Sequence, residues 1–248
     1  MKLKLVTVTM LMGTLVGCQM DTNNMLNLGM QSAQIASLSD SDVKALSDKS
    51  CAQMDAEAKI AATNNAYTTR LNKITKALGN EINGTKVNYK VYLTNDVNAW
   101  AMANGCVRVY SGLMDKMTDN EIQGVLGHEL GHVALGHSKK AMQVSYGTQL
   151  ARGAIAASTN STIANLTQSQ LGDLTEGIIN AQFSQKQESQ ADNYSFDFLV
   201  KKGINPLGIA TAFEKLGGGE ASLLSTHPAS SDRAKNIRDK IAKLNQTK

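Results

Sequence analysis

The sequence predicts an α+β fold, mainly helical, with one small antiparallel sheet and a helix presenting His128-Glu129-Leu130-Gly131-His132. Three observations lead there. Two prolines and few aromatics in 248 residues, against much Ala, Leu, Gln, Asn and Met, favour helix. Strand-like alternation is concentrated in one stretch, around residues 87–110, and helical spacing of apolar residues recurs elsewhere. A formal charge of +4, spread over 25 basic and 21 acidic side chains, leaves no concentrated basic stripe and argues against nucleic-acid binding.

Residues 1–17 read as a leader. Lys2 and Lys4 precede an apolar run from Leu5 to Val16, the length of a signal-peptide core and short for a membrane span. Leu15-Val16-Gly17-Cys18 resembles a bacterial lipobox, in which the cysteine is lipidated and becomes the new N-terminus. Gln19, rather than Asp, follows it, which resembles the sorting signal for the outer membrane. The expectation is a chain anchored in the outer membrane by lipid on Cys18, its domain facing the periplasm. Residues 18–38 are a polar tether and 39–248 a single domain. With Cys18 lipidated, Cys51 and Cys106 remain as an even pair in an oxidising compartment. A bridge between them would contribute about 4 kcal/mol in the chain-entropy model; two separate buried thiols are the alternative.

Ser39-Asp40-Ser41-Asp42 can cap a short helix beginning near Val43, and Cys51 to Leu78 is helix-forming, with Gly79-Asn80 as its stop. Val87, Tyr89, Val91 and Leu93 alternate as in a strand. Asn98–Met102 and Cys106–Tyr110 flank Asn104-Gly105, the favoured type I′ hairpin turn. Thr118-Asp119-Asn120-Glu121 matches a capping box opening a helix that runs to about Gly136. Gly124, Gly127 and Gly131 inside it each cost about 1 kcal/mol against alanine, so this helix is either closely packed or functional. Residues 139–177 hold no apolar run long enough to cross a membrane. Further helices are expected from about Ile178 to Lys202, from about Pro206 to Leu216, and from Ser230 or Ser231 onwards.

His128 and His132 stand at i and i+4, so both imidazoles leave one helix face one turn apart, as a shared metal requires. Zinc accepts two such nitrogens, needs a third protein ligand and keeps one position for water. Glu129 between them is placed to take a proton from that water. The third ligand is not the histidine of a metzincin, because Leu135 and Ser138 occupy the positions where that pattern needs Gly and His. His137, nine residues from His128, points to nearly the opposite face of a continuing helix; only an early end to that helix would free it. Glu188 and Asp192 share a helical face: one can bind zinc while the other orients a ligand histidine. Two solvated carboxylates on a surface helix are the alternative.

HExxH followed on a later helix by ExxxD resembles the gluzincin pattern, and the flanking residues look like the HtpX and CAAX-prenyl-protease group of zinc metallopeptidases. The resemblance covers most of residues 51–248 and rests on Asn98-Ala99-Trp100-Ala101, Gly127 to His132, Phe183-Ser184 through Asp192, and His227-Pro228 with Arg233. It implies a zincin-like domain holding one zinc ion through His128, His132 and Glu188, with Glu129 as general base. It implies that Asn98, Ala99, Trp100 and Ala101 form a strand edge along which a peptide lies. It also implies that His227 stabilises the oxyanion, that Asp192 accepts a hydrogen bond from His128, and that Arg233 approaches the site from the C-terminal segment. Members of that group carry transmembrane segments between the two metal motifs; this chain resembles a soluble, anchored branch. The expected activity is hydrolysis of internal peptide bonds in misfolded or damaged envelope proteins, with polypeptides as substrates and other envelope proteases or assembly factors as partners. Two other readings stay open: a zinc-stabilised, chaperone-like binding lipoprotein that does not cut, and a structural envelope lipoprotein whose motif is incidental.

Overall fold

The computed structural model describes residues 38–155, 163, 165–217, 223, 226–227 and 231–246. Cys18, the leader and nearly all of the tether lie outside them. Ser39 caps α1 (Asp40–Glu57) through a capping box with Asp42, so the cap read from the sequence is present, and the helix runs through Cys51. It is not continuous with α2 (Ala66–Leu78), which has its own cap at Asn65. Residues between them are extended instead: Ile60 bridges Tyr92, and the Ala61 N–H donates to the Val91 carbonyl. Pairing with a strand overrides helix propensity there.

A two-stranded antiparallel ribbon follows, β1 (Glu81–Ile82) and β2 (Thr85–Lys86), then a three-stranded sheet of β3 (Asn88–Tyr92), β4 (Ala99–Ala101) and β5 (Cys106–Tyr110). Its order is β3-β5-β4. The β4–β5 pair is the expected antiparallel hairpin, and β3 joins it parallel to β5. The turn is not type I′, because Gly105 has φ +82° but Asn104 does not have positive φ. The Gly105 N–H donates to the Met102 carbonyl, which makes a three-residue loop closed by one left-handed glycine. β4 is therefore a sheet edge.

The remaining chain is helical: α3 (Ser111–Lys116), α4 (Asp119–Ala134), α5 (His137–Ala151), α6 (Gln168–Ile179), α7 (Gln185–Lys201), α8 (Leu207–Leu216) and α9 (Ser231–Gln246). Residues 178–179 end α6, and α7 starts afresh at Ser184, whose hydroxyl forms a capping box with Gln187. The predicted helix from Ile178 is thus two elements. α4 carries the predicted capping box of Thr118 and Glu121 but stops two residues short, at Ala134. Leu126, Leu130 and Ile122 on it are fully buried in the main core with Leu71, Ile74, Val107, Val109 and Leu199. A second cluster joins Val43 and Leu46 of α1 to Met142, Tyr146 and Leu174 of α5 and α6.

The glycines of α4 are explained by contact. A Cβ on Gly124 would lie 2.7 Å from the Ile209 nitrogen of α8, and one on Gly127 would lie 2.5 Å from Ser195 Oγ of α7. The metal-motif helix is clamped between two others at a distance that only glycine permits. On the other flank, Cys51 and Cys106 are joined in a disulfide that ties α1 to the hairpin. Beside it, Arg108, almost fully buried, donates from Nε and Nη2 to both oxygens of Asp55 at 2.7 and 2.9 Å.

Candidate metal centre and active site

α4 and α7 cross face to face, which carries Glu188 and Asp192 to the two histidines of α4. His132 Nε2 lies 3.0 Å from His128 Nε2, and His128 Nε2 lies 3.1 Å from His227 Nδ1. Glu188 Oε1 lies 3.1 Å from His227 Nδ1 and 3.4 Å from His132 Nε2. All four side chains are buried. Donors bound to one tetrahedral zinc at about 2.0–2.1 Å would stand about 3.3 Å apart, so the spacing of this set fits a single ion of that size. The donor chemistry fits too, since three imidazole nitrogens and one carboxylate converge on one point.

Three of the four donors are held from behind. Asp192 Oδ1 lies 2.8 Å from His128 Nδ1, which fixes the proton on that nitrogen and leaves Nε2 its lone pair. Arg233 of α9 grips both Asp192 oxygens at 2.7 Å and reaches Glu188 Oε2 at 2.6 Å with Nη1. Its guanidinium also lies over the Phe213 ring, 4.0 Å from the centroid. Phe183 packs on the face of His132 with centroids 3.9 Å apart.

The two glutamates are pushed apart electrostatically. Burial raises the Glu129 carboxyl above its usual range, and the neighbouring Glu188 charge adds to that, against the pull of His227, His128 and Arg233. Burial also opposes ionisation of Glu188, but hydrogen bonds with His132 and His227 and the charge of His128 outweigh it and hold that carboxyl well below its usual range. Burial drives His132 well below the usual histidine range, and repulsion from His128 and His227 acts in the same direction. One carboxylate is thereby kept anionic for a cation and the other made a better proton acceptor. Glu129 Oε1 is buried with no hydrogen-bond partner, His227 Nε2 standing 3.5 Å away.

A cleft of about 30 Å³ joins this centre to the sheet edge. Asn98, Ala99, Trp100, Ala101 and Met102 line it together with Glu129, His227, Ile178, Ile179 and Phe183. The Ser138 hydroxyl donates to the Ala101 carbonyl at 3.2 Å.

Residues 65–241 match the model of peptidase family M48. The chain belongs to peptidase family M48. It is 55% identical over 248 residues to the metalloprotease LoiP of Escherichia coli K12, covering 98% of each chain, and 55% identical over 236 residues to the metalloprotease YcaL of the same organism, covering 92% of each. It is also 29% identical over 195 residues to the E. coli β-barrel assembly-enhancing protease, matching 71% of this chain and 39% of that one. This M48 member is a metalloprotease, and the resemblance read from its motifs stands.

Every site residue expected from the sequence and lying within the described residues gathers here, apart from the disulfide pair, which sits behind the hairpin. Sequence reasoning placed two M48 residues differently. His227, expected to approach the site as an oxyanion stabiliser, stands among the four donors. His137, expected to face away, opens α5 after Gly136 turns the chain at φ +75°, and its ring meets the back of His132. Among the described residues no helix is long and apolar enough to cross a membrane.

Proposed function

We propose that this M48 protein is a zinc endopeptidase of the bacterial envelope that hydrolyses internal peptide bonds in misfolded or damaged proteins. The observation that carries it is the meeting of His128, His132 and Glu188 at one point, beside a buried Glu129 oxygen without a hydrogen-bond partner and the edge strand β4. Zinc held by His128, His132 and Glu188 would supply Lewis acidity, polarising a carbonyl oxygen and making water acidic enough to lose a proton near neutral pH. Glu129 takes that proton and delivers it to the leaving amine. Asn98, Ala99, Trp100 and Ala101 hold the substrate backbone by strand addition, which recognises extended polypeptide without reading its side chains and so suits unfolded substrates. Asp192 and Arg233 keep His128 and Glu188 in place.

His227 is the fourth of the converging donors, and a hydrolytic centre would need one position left for water. His227 would leave that position to water and donate to the carbonyl oxygen as negative charge develops there. The cleft, at about 30 Å³, is too small for a peptide and has to widen before one reaches β4. Residues 1–17 act as the leader, lipid on Cys18 anchors the chain to the outer membrane, and 18–38 tether the domain, 39–248, in the periplasm.

Metal analysis tests the reading. Purified protein is expected to carry one zinc per chain; chelation abolishes cleavage of an unfolded protein and zinc restores it. Full cleavage by metal-free protein would overturn it.

A further inference from the structure

α4 ends at Ala134, and Gly136, in the left-handed region, swings the chain so that His137 begins α5. The His137 ring is buried against His132, with Nδ1 to Nδ1 at 3.1 Å and centroids 5.1 Å apart. The two ends of the His132 ring therefore have different partners. Nε2 faces His128 and Glu188, and Nδ1 faces His137.

A neutral imidazole has one N–H and one lone pair. If His132 offers the Nε2 lone pair to a metal, its proton is on Nδ1 and needs an acceptor. His137 Nδ1 is the atom in position, so it must carry a lone pair, with the His137 proton on Nε2. The arrangement mirrors Asp192 behind His128, with a neutral ring in place of a carboxylate.

We propose that His137 is a positioning residue of the metal centre: it accepts a hydrogen bond from His132 Nδ1–H and fixes the tautomer and ring angle of that ligand. This rests on the metal reading above. Loss of such a support lowers metal affinity about 10- to 100-fold.

The test uses the full-length protein loaded with zinc. His137→Phe keeps a buried ring but has no acceptor; His137→Asn places an amide oxygen close to where Nδ1 stood. Competition with a chromogenic chelator is expected to show zinc held about 10- to 100-fold more weakly in His137→Phe, and largely rescued in His137→Asn. Long-range proton–nitrogen spectra of the wild type are expected to show His132 protonated at Nδ1, in a slowly exchanging signal that His137→Phe loses. Wild-type affinity in His137→Phe, equal weakening in both variants, or a bare Nδ1 on His132 in the zinc-loaded wild type each overturn the proposal. The last needs no variant to fold. A wild type that binds zinc while His137→Phe is unaffected sinks this inference alone; a wild type that binds no zinc sinks the metal reading beneath it.

Discussion

Asp192 never touches the point where the donors meet, yet it sets how His128 presents its lone pair, at 2.8 Å from Nδ1. Asp192→Ala removes that acceptor and leaves Arg233 without its main carboxylate. Metal affinity is expected to fall about 10- to 100-fold, read by chelator competition, with loss of cleavage following metal loss and reversed by excess zinc. At this scale much was legible. Spacing alone puts His128 with His132, and Glu188 with Asp192, because the helix has a fixed period. His137 was misplaced because its direction depends on where α4 stops. Val133-Ala134-Leu135-Gly136 reads as helix until the left-handed conformation of Gly136 is known. His227 lies near three side chains from two elements, His128 and Glu129 of α4 and Glu188 of α7, a convergence no local pattern encodes.

Among the elements, α4 determines the site because its glycines let α7 and α8 approach closely enough for Glu188 to reach the histidines. Gly124→Ala would gain about 1 kcal/mol in helix propensity. It also places a methyl 2.7–2.8 Å from backbone atoms of residues 208–209, which cannot rotate away. Overpacking of this kind costs about 1–3 kcal/mol, so the variant is expected to melt at a lower temperature than wild type despite its better helix former. An unchanged or raised melting temperature would show that the helices are not held this tightly. The dilemma posed by the sequence, close packing or function, resolves as both. The cap at Ser39, the capping box at Thr118 and the β4–β5 hairpin could be read directly, since each is a local pattern. The parallel pairing of β3 with β5 and the break at 58–65 could not. Both depend on which distant strand supplies the hydrogen bonds, and helix propensity near Ile60 yields to the edge of β3.

The whole molecule is tied across its layers by the Cys51–Cys106 bridge and the Asp55–Arg108 pair beside it. Burial works against the Asp55 charge, but hydrogen bonds from Arg108, Lys90 and Tyr92 prevail and hold its carboxyl down at about 2. A folded value below the unfolded one means stability that is fully present above the unfolded value and is lost as pH falls through the folded one. Stability from this pair is therefore expected to be constant above about pH 4 and to decline between about pH 4 and 2. Denaturant melts of wild type and Asp55→Asn should differ most near neutral pH and converge on acidification. A difference independent of pH would remove the ion pair from the account.

The central claim is that Glu129 moves the proton in a zinc-dependent hydrolysis. Zinc content and cleavage of an unfolded protein, measured side by side on wild type and Glu129→Gln, test it most directly. The account predicts one zinc per chain in both, and in the variant a loss of most cleavage, about 10²- to 10⁴-fold in rate, the usual contribution of a general base. Wild-type cleavage by a zinc-loaded Glu129→Gln protein would contradict it.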